Sequence, residues 1–164
     1  HKRTSIMATL TSTITEEVTL NGVERGASRS LSVSSVTQTF NRIVTCPSGQ
    51  DTTVATFRTA VHTADGALDE TDVKYLRITN LAGSNFVTVS IPIDTTGTPD
   101  GSPEQVVSFK LSAGRSFIFG AVEDSIVVDD DGGNPIAHGS LANAESISIN
   151  ANTADATVEV FIAS

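Results

Sequence analysis

The feature that most constrains this chain is an alternation of apolar residues with small hydroxyl residues along short runs. Between Phe86 and Ile93, valine or isoleucine stands at every second position, and Thr88, Ser90 and Pro92 stand between them. A period of two places alternate side chains on opposite faces of a β-strand. About ten such runs occur, separated by turn residues, and none shows the apolar spacing of an amphipathic helix. The sequence therefore predicts an all-β fold, an antiparallel β-sandwich or jelly-roll-like single domain.

Turn signals between the runs predict how neighbouring strands are joined. Asn21-Gly22 suits a tight hairpin turn. The clearest hairpin is predicted from residues 73–79 and 86–93, with residues 80–85 as its loop. Pro92 has no N–H to donate to a ladder, so the end of the second hairpin strand is predicted to lie at a sheet edge. Residues 36–44 are predicted to form one continuous strand.

The length of 164 residues fits one domain, which would bury about 70% of the surface of its unfolded chain. No internal repeat of fixed period and no interdomain linker is present in the sequence. We interpret residues 1–7 as a tag remnant or disordered start, residues 8–35 as an N-terminal arm or first strands, and residues 36–164 as the β-sandwich domain.

The charge balance and the apolar runs narrow the classes of partner that the chain can bind. Lys and Arg total 10 and Asp and Glu total 19, so the formal net charge is −9. An acidic chain without a basic run repels phosphates, so no nucleic-acid partner is expected. No run approaches the roughly 18 apolar residues of a membrane span and no signal-peptide core is present, so no membrane partner is expected.

Cys46 cannot form an intrachain disulfide and is predicted to be a small buried apolar residue.

One cluster of carboxylates is a candidate cation site. Asp129, Asp130 and Asp131 precede two glycines and Asn134. Oxygen ligands on a glycine-rich turn suit Ca²⁺, but this spacing does not match an EF-hand loop. A solvated acidic turn is the more common case for such a sequence, so calcium binding stays open and no cofactor or metal residue is assigned.

Candidate acid–base groups lie in residues 65–72, with His62 at their edge. General acid–base catalysis needs two groups in a shaped pocket with pKa values pushed apart, and nothing in the sequence indicates a pocket. His138 has no second His or Cys at ligand spacing. No catalytic or phosphate-binding motif occurs. We therefore expect a chain that is not an enzyme, with no catalytic or cofactor-binding residue.

Two predicted strands are apolar on both faces. Phe117 and Phe119 share one face, and Ile118 takes the other. In the last strand, Phe161 stands opposite the valine and isoleucine positions of residues 158–162. A strand of this kind is either covered on both sides within the fold or faces a partner. The pattern predicts a homo-oligomer.

Several segments together resemble a known class of protein. They are VTQTFNR (36–42), YLRITNL (75–81) leading into NFVTV (85–89), FKLSAGRSF (109–117) and ISINANTADATVEVFI (147–162). In these segments the chain resembles small β-rich virion structural proteins of tailed bacteriophages, particularly phages of cyanobacteria and marine bacteria. The resemblance covers about residues 36–162.

The resemblance implies a structural subunit of the phage particle, located in the virion and assembled in the host cytoplasm. A capsid cement (decoration) protein that stabilises the head shell is favoured, as a trimer in contact with the major capsid protein or neighbouring virion proteins. Residues 8–35 lie outside the resemblance, and in decoration proteins such an arm often reaches across the capsid lattice. The alternatives are a tail- or fibre-associated subunit (adaptor, tube or fibre base) and a carbohydrate-binding β-sandwich module. The sequence lacks the repeats or heptads of a fibre, which favours the head.

Overall fold

A computed structural model describes residues 7–58, 66–93, 105–120 and 144–164. Within these ranges the chain forms β-strands and one 3₁₀ turn, Glu70–Asp72, without an α-helix. The predicted all-β fold class is therefore confirmed. The strands, in chain order, are β1 (Ala8–Thr15), β2 (Thr19–Leu20), β3 (Val23–Glu24), β4 (Ser28–Val36), β5 (Thr39–Cys46), β6 (Asp51–Arg58), β7 (Leu68–Asp69), β8 (Tyr75–Asn80), β9 (Val87–Ile93), β10 (Gln105–Leu111), β11 (Ser116–Phe119), β12 (Ser146–Ala151) and β13 (Ala156–Ala163).

Two sheets form the body of the molecule. Sheet 1 has the strand order β10-β9-β12-β6-β7, and sheet 2 has the order β11-β8-β13-β5. Neighbouring strands are antiparallel, except that the short β7 pairs in parallel with β6. β1 and β4 form a separate antiparallel ribbon, which the small hairpin β2-β3 extends. We call residues 8–36 the arm.

The first four strands of sheet 1 match the four strands of sheet 2 position by position. β5 leads into β6, β8 into β9, β10 into β11 and β12 into β13, and each pair occupies the same place in the two opposed sheets. We call each of these connections an arch. The pairing registers place all four arches between described strands at one end of the sandwich. This is the strand order of a jelly roll, in which Greek keys fold into a double sheet.

The hairpin predicted from residues 73–79 and 86–93 is wrong. The two strands are consecutive, but β8 lies in sheet 2 and β9 lies in sheet 1. Asn80, which is fully buried, holds the arch between them. Its Nδ2 donates to the carbonyls of Asn85 and Leu111, at 2.8 and 3.1 Å, and its Oδ1 accepts from the N–H of Ala82 at 3.0 Å. A hairpin and an arch both carry alternating strands, so alternation alone did not distinguish them.

The prediction that Pro92 lies at a sheet edge is also wrong. β9 is an interior strand between β10 and β12. The carbonyl of Pro92 accepts from the N–H of Glu145 at 2.9 Å, and the N and C=O of one strand residue face the same neighbour. The nitrogen of Pro92, which carries no hydrogen, therefore faces the β12 side. The regular ladder between β9 and β12 has already ended there, at Ser90.

Residues 36–44, predicted as one continuous strand, are interrupted at the junction between the arm and the body. β4 ends at Val36 and β5 begins at Thr39. The backbone turns at Ser35, whose φ is 57°. The N–H groups of residues 37 and 38 both donate to the carbonyl of Ser164, at 2.7 and 3.0 Å, so the junction is tied to the C-terminal strand.

The main core fills the space between the two sheets. Alternate residues of both sheets face inward, and burying a side chain such as Val, Leu or Ile stabilises a fold by about 1.5–3 kcal/mol. A register shift between Ile147 and Ser148 marks a bulge against β6, where the consecutive residues Val54 and Ala55 are both buried. The largest fully buried side chains are Phe57, Leu76, Ile78, Ile91, Ile147, Ile149, Ile162, Val87, Val89, Val158 and Val160.

A second, smaller core lies between the arm and the outer face of sheet 2. Val33 and Val36 from the arm are buried with Tyr75 and Ala163 from the sheet. Phe161 packs against this cluster and meets Tyr75 edge to face, with ring centroids 6.0 Å apart. The predicted partner subunit rested in part on the apolar outward face of β13. That face is covered in part by the chain's own arm.

The other strand that is apolar on both faces behaves differently. Phe117 and Phe119 face the main core, and the ring of Phe117 lies 4.5 Å from that of Phe109. Ile118 points to the outer face of sheet 2 and is 36% exposed. The apolar second face of β11 is thus only partly covered within the described chain.

Candidate interaction surface

The predicted cation site and some of the other candidate groups lie outside the described residues. These are Asp129, Asp130, Asp131, Asn134, His62, Asp65 and His138. Within the described ranges, no group of three or more His, Cys, Asp or Glu side chains is arranged to hold a metal ion.

The described part of the acidic segment forms a local turn. Asp69 caps the 3₁₀ turn, because its Oδ1 accepts from the N–H of Thr71 at 3.0 Å and from the Thr71 hydroxyl at 2.7 Å. These bonds give the carboxylate a structural role at the N-terminus of the turn.

Cys46 is fully buried at the end of β5, as predicted. Burial raises the pKa of its thiol, because the thiolate would lose hydration. The thiol is therefore protonated near neutral pH and packs as a small apolar group.

The outer face of sheet 1 is polar and built from small side chains. Thr53, Ser148, Ser90 and Ser108 form a transverse row through direct pairs on four neighbouring strands. The hydroxyls of Ser90 and Ser108 lie 2.9 Å apart. This face has the composition of a sheet surface in contact with water.

The arm is a continuous hydrogen-bonded ribbon that extends beyond the body. β1 and β4 pair from Leu10 with Val33 to Thr15 with Ser28. Bonds from Glu16 N to Ala27 O and from Arg25 N to Val18 O, both 2.8 Å, continue the ribbon to β2 and β3. Asn21 and Gly22 both have positive φ, 53° and 78°, which confirms the predicted Asn-Gly turn.

A single carboxylate holds the far end of the arm in shape. Glu24 accepts from the N–H of Gly26 at 2.6 Å, from the N–H of Val18 at 3.0 Å and from the Thr19 hydroxyl at 3.2 Å. The backbone bonds from Gly26 and Val18 lower the pKa of Glu24. A side chain at Gly26 would place its Cβ 1.8 Å from the carbonyl oxygen of Glu16, so only glycine fits there.

The arm ends in an unpartnered apolar surface, which we call the arm tip (residues 14–24). Four large aliphatic side chains of the tip, Ile14, Val18, Leu20 and Val23, are 49–59% exposed. Residues 14–24 also contain three carboxylates and no basic side chain. Several aliphatic side chains exposed together on a projecting ribbon are typical of a surface that another molecule covers.

A groove runs between the arm and the outer face of sheet 2. Its apolar floor includes Leu10, Tyr75, Ile118 and Phe161, and its volume is about 380 Å³. Arg77 lines the same groove and donates through Nη1 to Glu159 Oε2 at 2.8 Å and to the Thr79 hydroxyl. The other guanidinium nitrogens of Arg77 meet no acceptor among the residues that the structure describes.

The sequence had not singled out the arm tip as a surface. Its signal was a set of aliphatic residues, Val18, Leu20 and Val23, around an Asn-Gly turn. The far end of a hairpin that ends in water carries polar residues, so apolar residues at that place indicate a contact.

No helix of the described chain is long and apolar enough to cross a bilayer. Comparison with protein-family models, with curated proteins and with solved structures finds no significant match to this chain.

Proposed function

We propose that this chain is a non-enzymatic structural subunit of a tailed-phage particle, a cement protein that stabilises the head shell. The arm carries the proposal: a hydrogen-bonded ribbon leaves a jelly-roll body and exposes four aliphatic side chains at its tip. Exposed aliphatic surface is unfavourable in water, at about 25 cal/mol per Å². It suits a chain whose neighbours in an assembly cover it.

The body has the properties that a shell component needs. The main core takes side chains from both sheets, and the arches are tied to one another by hydrogen bonds. Ser48 N, for example, donates to Asp155 Oδ1 at 3.0 Å, and Asn85 Nδ2 donates to the carbonyl of Ala154 at 3.3 Å. Jelly rolls occur in capsid and lectin domains, but the fold alone does not decide function. The resemblance to virion proteins is the reason that the proposal names a phage particle.

The arm offers two means of contact with the major capsid protein or other virion neighbours. In the described chain, β1 and β4 pair only with each other, so each has an open edge of backbone N–H and C=O groups. Such edges accept a strand from a neighbour. The aliphatic side chains of the arm tip add apolar contact at its far end.

Binding to phage heads tests the proposal. Purified protein is added to expanded heads that lack it, and bound protein and the temperature of head disruption are measured. We expect saturable binding and a higher disruption temperature. The double variant Val18→Asp with Leu20→Asp should bind at least tenfold more weakly, because two charges replace exposed aliphatic surface.

Val106→Asp is the matched control, because Val106 is 53% exposed on β10, away from the arm. It should bind like the wild type. Copy number per particle separates head from tail: on the order of hundreds fits a head, and about six to a few tens fits a tail, because copy number follows symmetry. Specific assembly on tails would overturn the assignment to the head, and absence from the particle would overturn the whole proposal.

A further inference from the structure

We propose that the arm tip of one copy of this chain packs into the groove between the arm and sheet 2 of a second copy. The inference rests on the proposed function, because it names the first neighbour that the arm contacts in the assembly. It is carried by two complementary surfaces that the same chain exposes.

The two surfaces match in polarity and in charge. The tip presents Ile14, Val18, Leu20 and Val23, and the groove presents an apolar floor that includes Ile118 and Phe161. Glu16 and Glu17 also lie in the tip, and neither forms an ion pair within the described residues. The groove holds Arg77, which pairs with Glu159 through Nη1 and whose Nε and Nη2 have no acceptor in the described part of the chain. Apolar surface thus meets apolar surface, and a carboxylate meets a guanidinium.

The tip cannot reach the groove of its own chain. Ser12, whose hydroxyl lies 3.1 Å from the Tyr75 hydroxyl, marks where the arm rests on the body. Leu20 follows eight residues later, about 26 Å farther along an extended chain. Cross-strand bonds continue through this length, so folding the tip back would break the ribbon. Only the groove of another copy is accessible to it.

A contact between tip and groove closes in one of two ways: as a twofold pair, in which each tip fills the groove of the other copy, or as a ring of heterologous contacts. The arm covers the outer face of sheet 2 around Phe161, and this cover is compatible with such an assembly. The groove is open beside the part of sheet 2 that the arm covers, and Ile118 and the tip remain exposed.

Site-specific disulfide cross-linking tests the contact. Leu20→Cys is made in one preparation and Ile118→Cys in another, and the native Cys46 is buried and gives little background. The two preparations are mixed, oxidised and run on non-reducing gels. We expect a cross-linked dimer in the mixture and little in either preparation alone. A dimer of Leu20→Cys with itself as the main product would overturn the proposal, because it would show contact between two tips.

Molar mass in solution gives a second test. Light scattering after size exclusion should show a discrete oligomer of the wild type, a monomer of the Val18→Asp and Leu20→Asp double variant, and the wild-type oligomer for Val106→Asp. Circular dichroism checks that each variant is folded. A wild type that is monomeric at every concentration would overturn the inference.

The failure of this inference differs from the failure of the proposed function. A monomer that binds heads through its arm tip would keep the function and remove the contact between copies. An oligomer with tip-to-groove cross-links that binds no particle would keep the contact and remove the function.

Discussion

Asn80 shows how one side chain decides the path of this chain. It is fully buried, and both of its amide atoms are satisfied by backbone groups of its own arch and of Leu111. A buried polar group that keeps its hydrogen bonds is tolerated, whereas one that loses a partner is expensive. The position is therefore specific for an amide that both donates and accepts.

Replacing Asn80 with alanine is expected to destabilise the body. Asn80→Ala leaves the carbonyl of Leu111 and the N–H of Ala82 without this partner, and we expect a loss of about 2–4 kcal/mol in the free energy of unfolding. Urea denaturation followed by circular dichroism measures it. Asn41→Ala is the control, because Asn41 is exposed on β5, and its effect should stay within about 0.5 kcal/mol. Equal effects of the two substitutions would contradict this role of Asn80.

Glu24 makes the arm tip sensitive to acid. The pKa of its carboxyl is lowered in the folded arm, so its contribution is present at neutral pH and is lost as the pH falls through the lowered pKa. NMR titration of the Val18 and Gly26 amide protons should show one midpoint, below the ordinary pKa of a glutamic acid. In Glu24→Gln the same protons should show no such step. A midpoint at or above the ordinary value would mean that the hydrogen bonds do not hold the carboxylate.

The strands were predictable from the sequence, but their partners were not. Alternation located β8, β9 and β13, because each has one face in the core. It did not show whether consecutive strands pair or cross between sheets, since the side-chain pattern of a strand is the same in both cases. The atoms that decide this, such as the amide of Asn80, act through contacts between distant segments. The cover over Phe161 was missed for the same reason, because it comes from the arm at the other end of the sequence.

A designed disulfide distinguishes the arch from the hairpin. Thr79 on β8 pairs directly with Ser116 on β11, and their hydroxyls lie 2.8 Å apart. Thr79→Cys with Ser116→Cys should therefore form a disulfide. It should stabilise the body by about 3–4 kcal/mol through a closed loop that links residues 37 positions apart.

The comparison variant joins residues that only the hairpin would bring together. Arg77→Cys with Thr88→Cys should stay reduced, because β8 and β9 lie in different sheets. Mass spectrometry of the two oxidised proteins shows in which of them the disulfide has formed. A disulfide between positions 77 and 88 would contradict the topology.

At the scale of the whole molecule, charge and stability are unevenly distributed. The described residues contain eight basic and ten acidic side chains, so they account for only −2 of the net −9. The strand framework is therefore close to neutral. It also contains two cores of different size: a large one between the sheets and a small one under the arm. A small apolar cluster contributes less free energy than a large one, so the arm is the weaker unit.

The one tyrosine reports on the smaller core. Tyr75 is 4% exposed and lies between the arm and Phe161. On heating, we expect its near-UV circular dichroism to change at a lower temperature than the far-UV signal of the strands. Leu31→Asp, which places a charge in the smaller cluster, should lower the first transition and leave the second within a few degrees. Coincident transitions in both proteins would show that arm and body unfold as one unit.

The position of β13 has a consequence for the synthesis of this protein. It is the strand nearest the C-terminus of the chain, yet it lies in the interior of sheet 2, between β8 and β5. β5, the first strand of the body to leave the ribosome, has no other neighbour in that sheet. Its edge therefore stays unpaired until β13 emerges, and an unpaired strand edge exposes a nascent chain to aggregation.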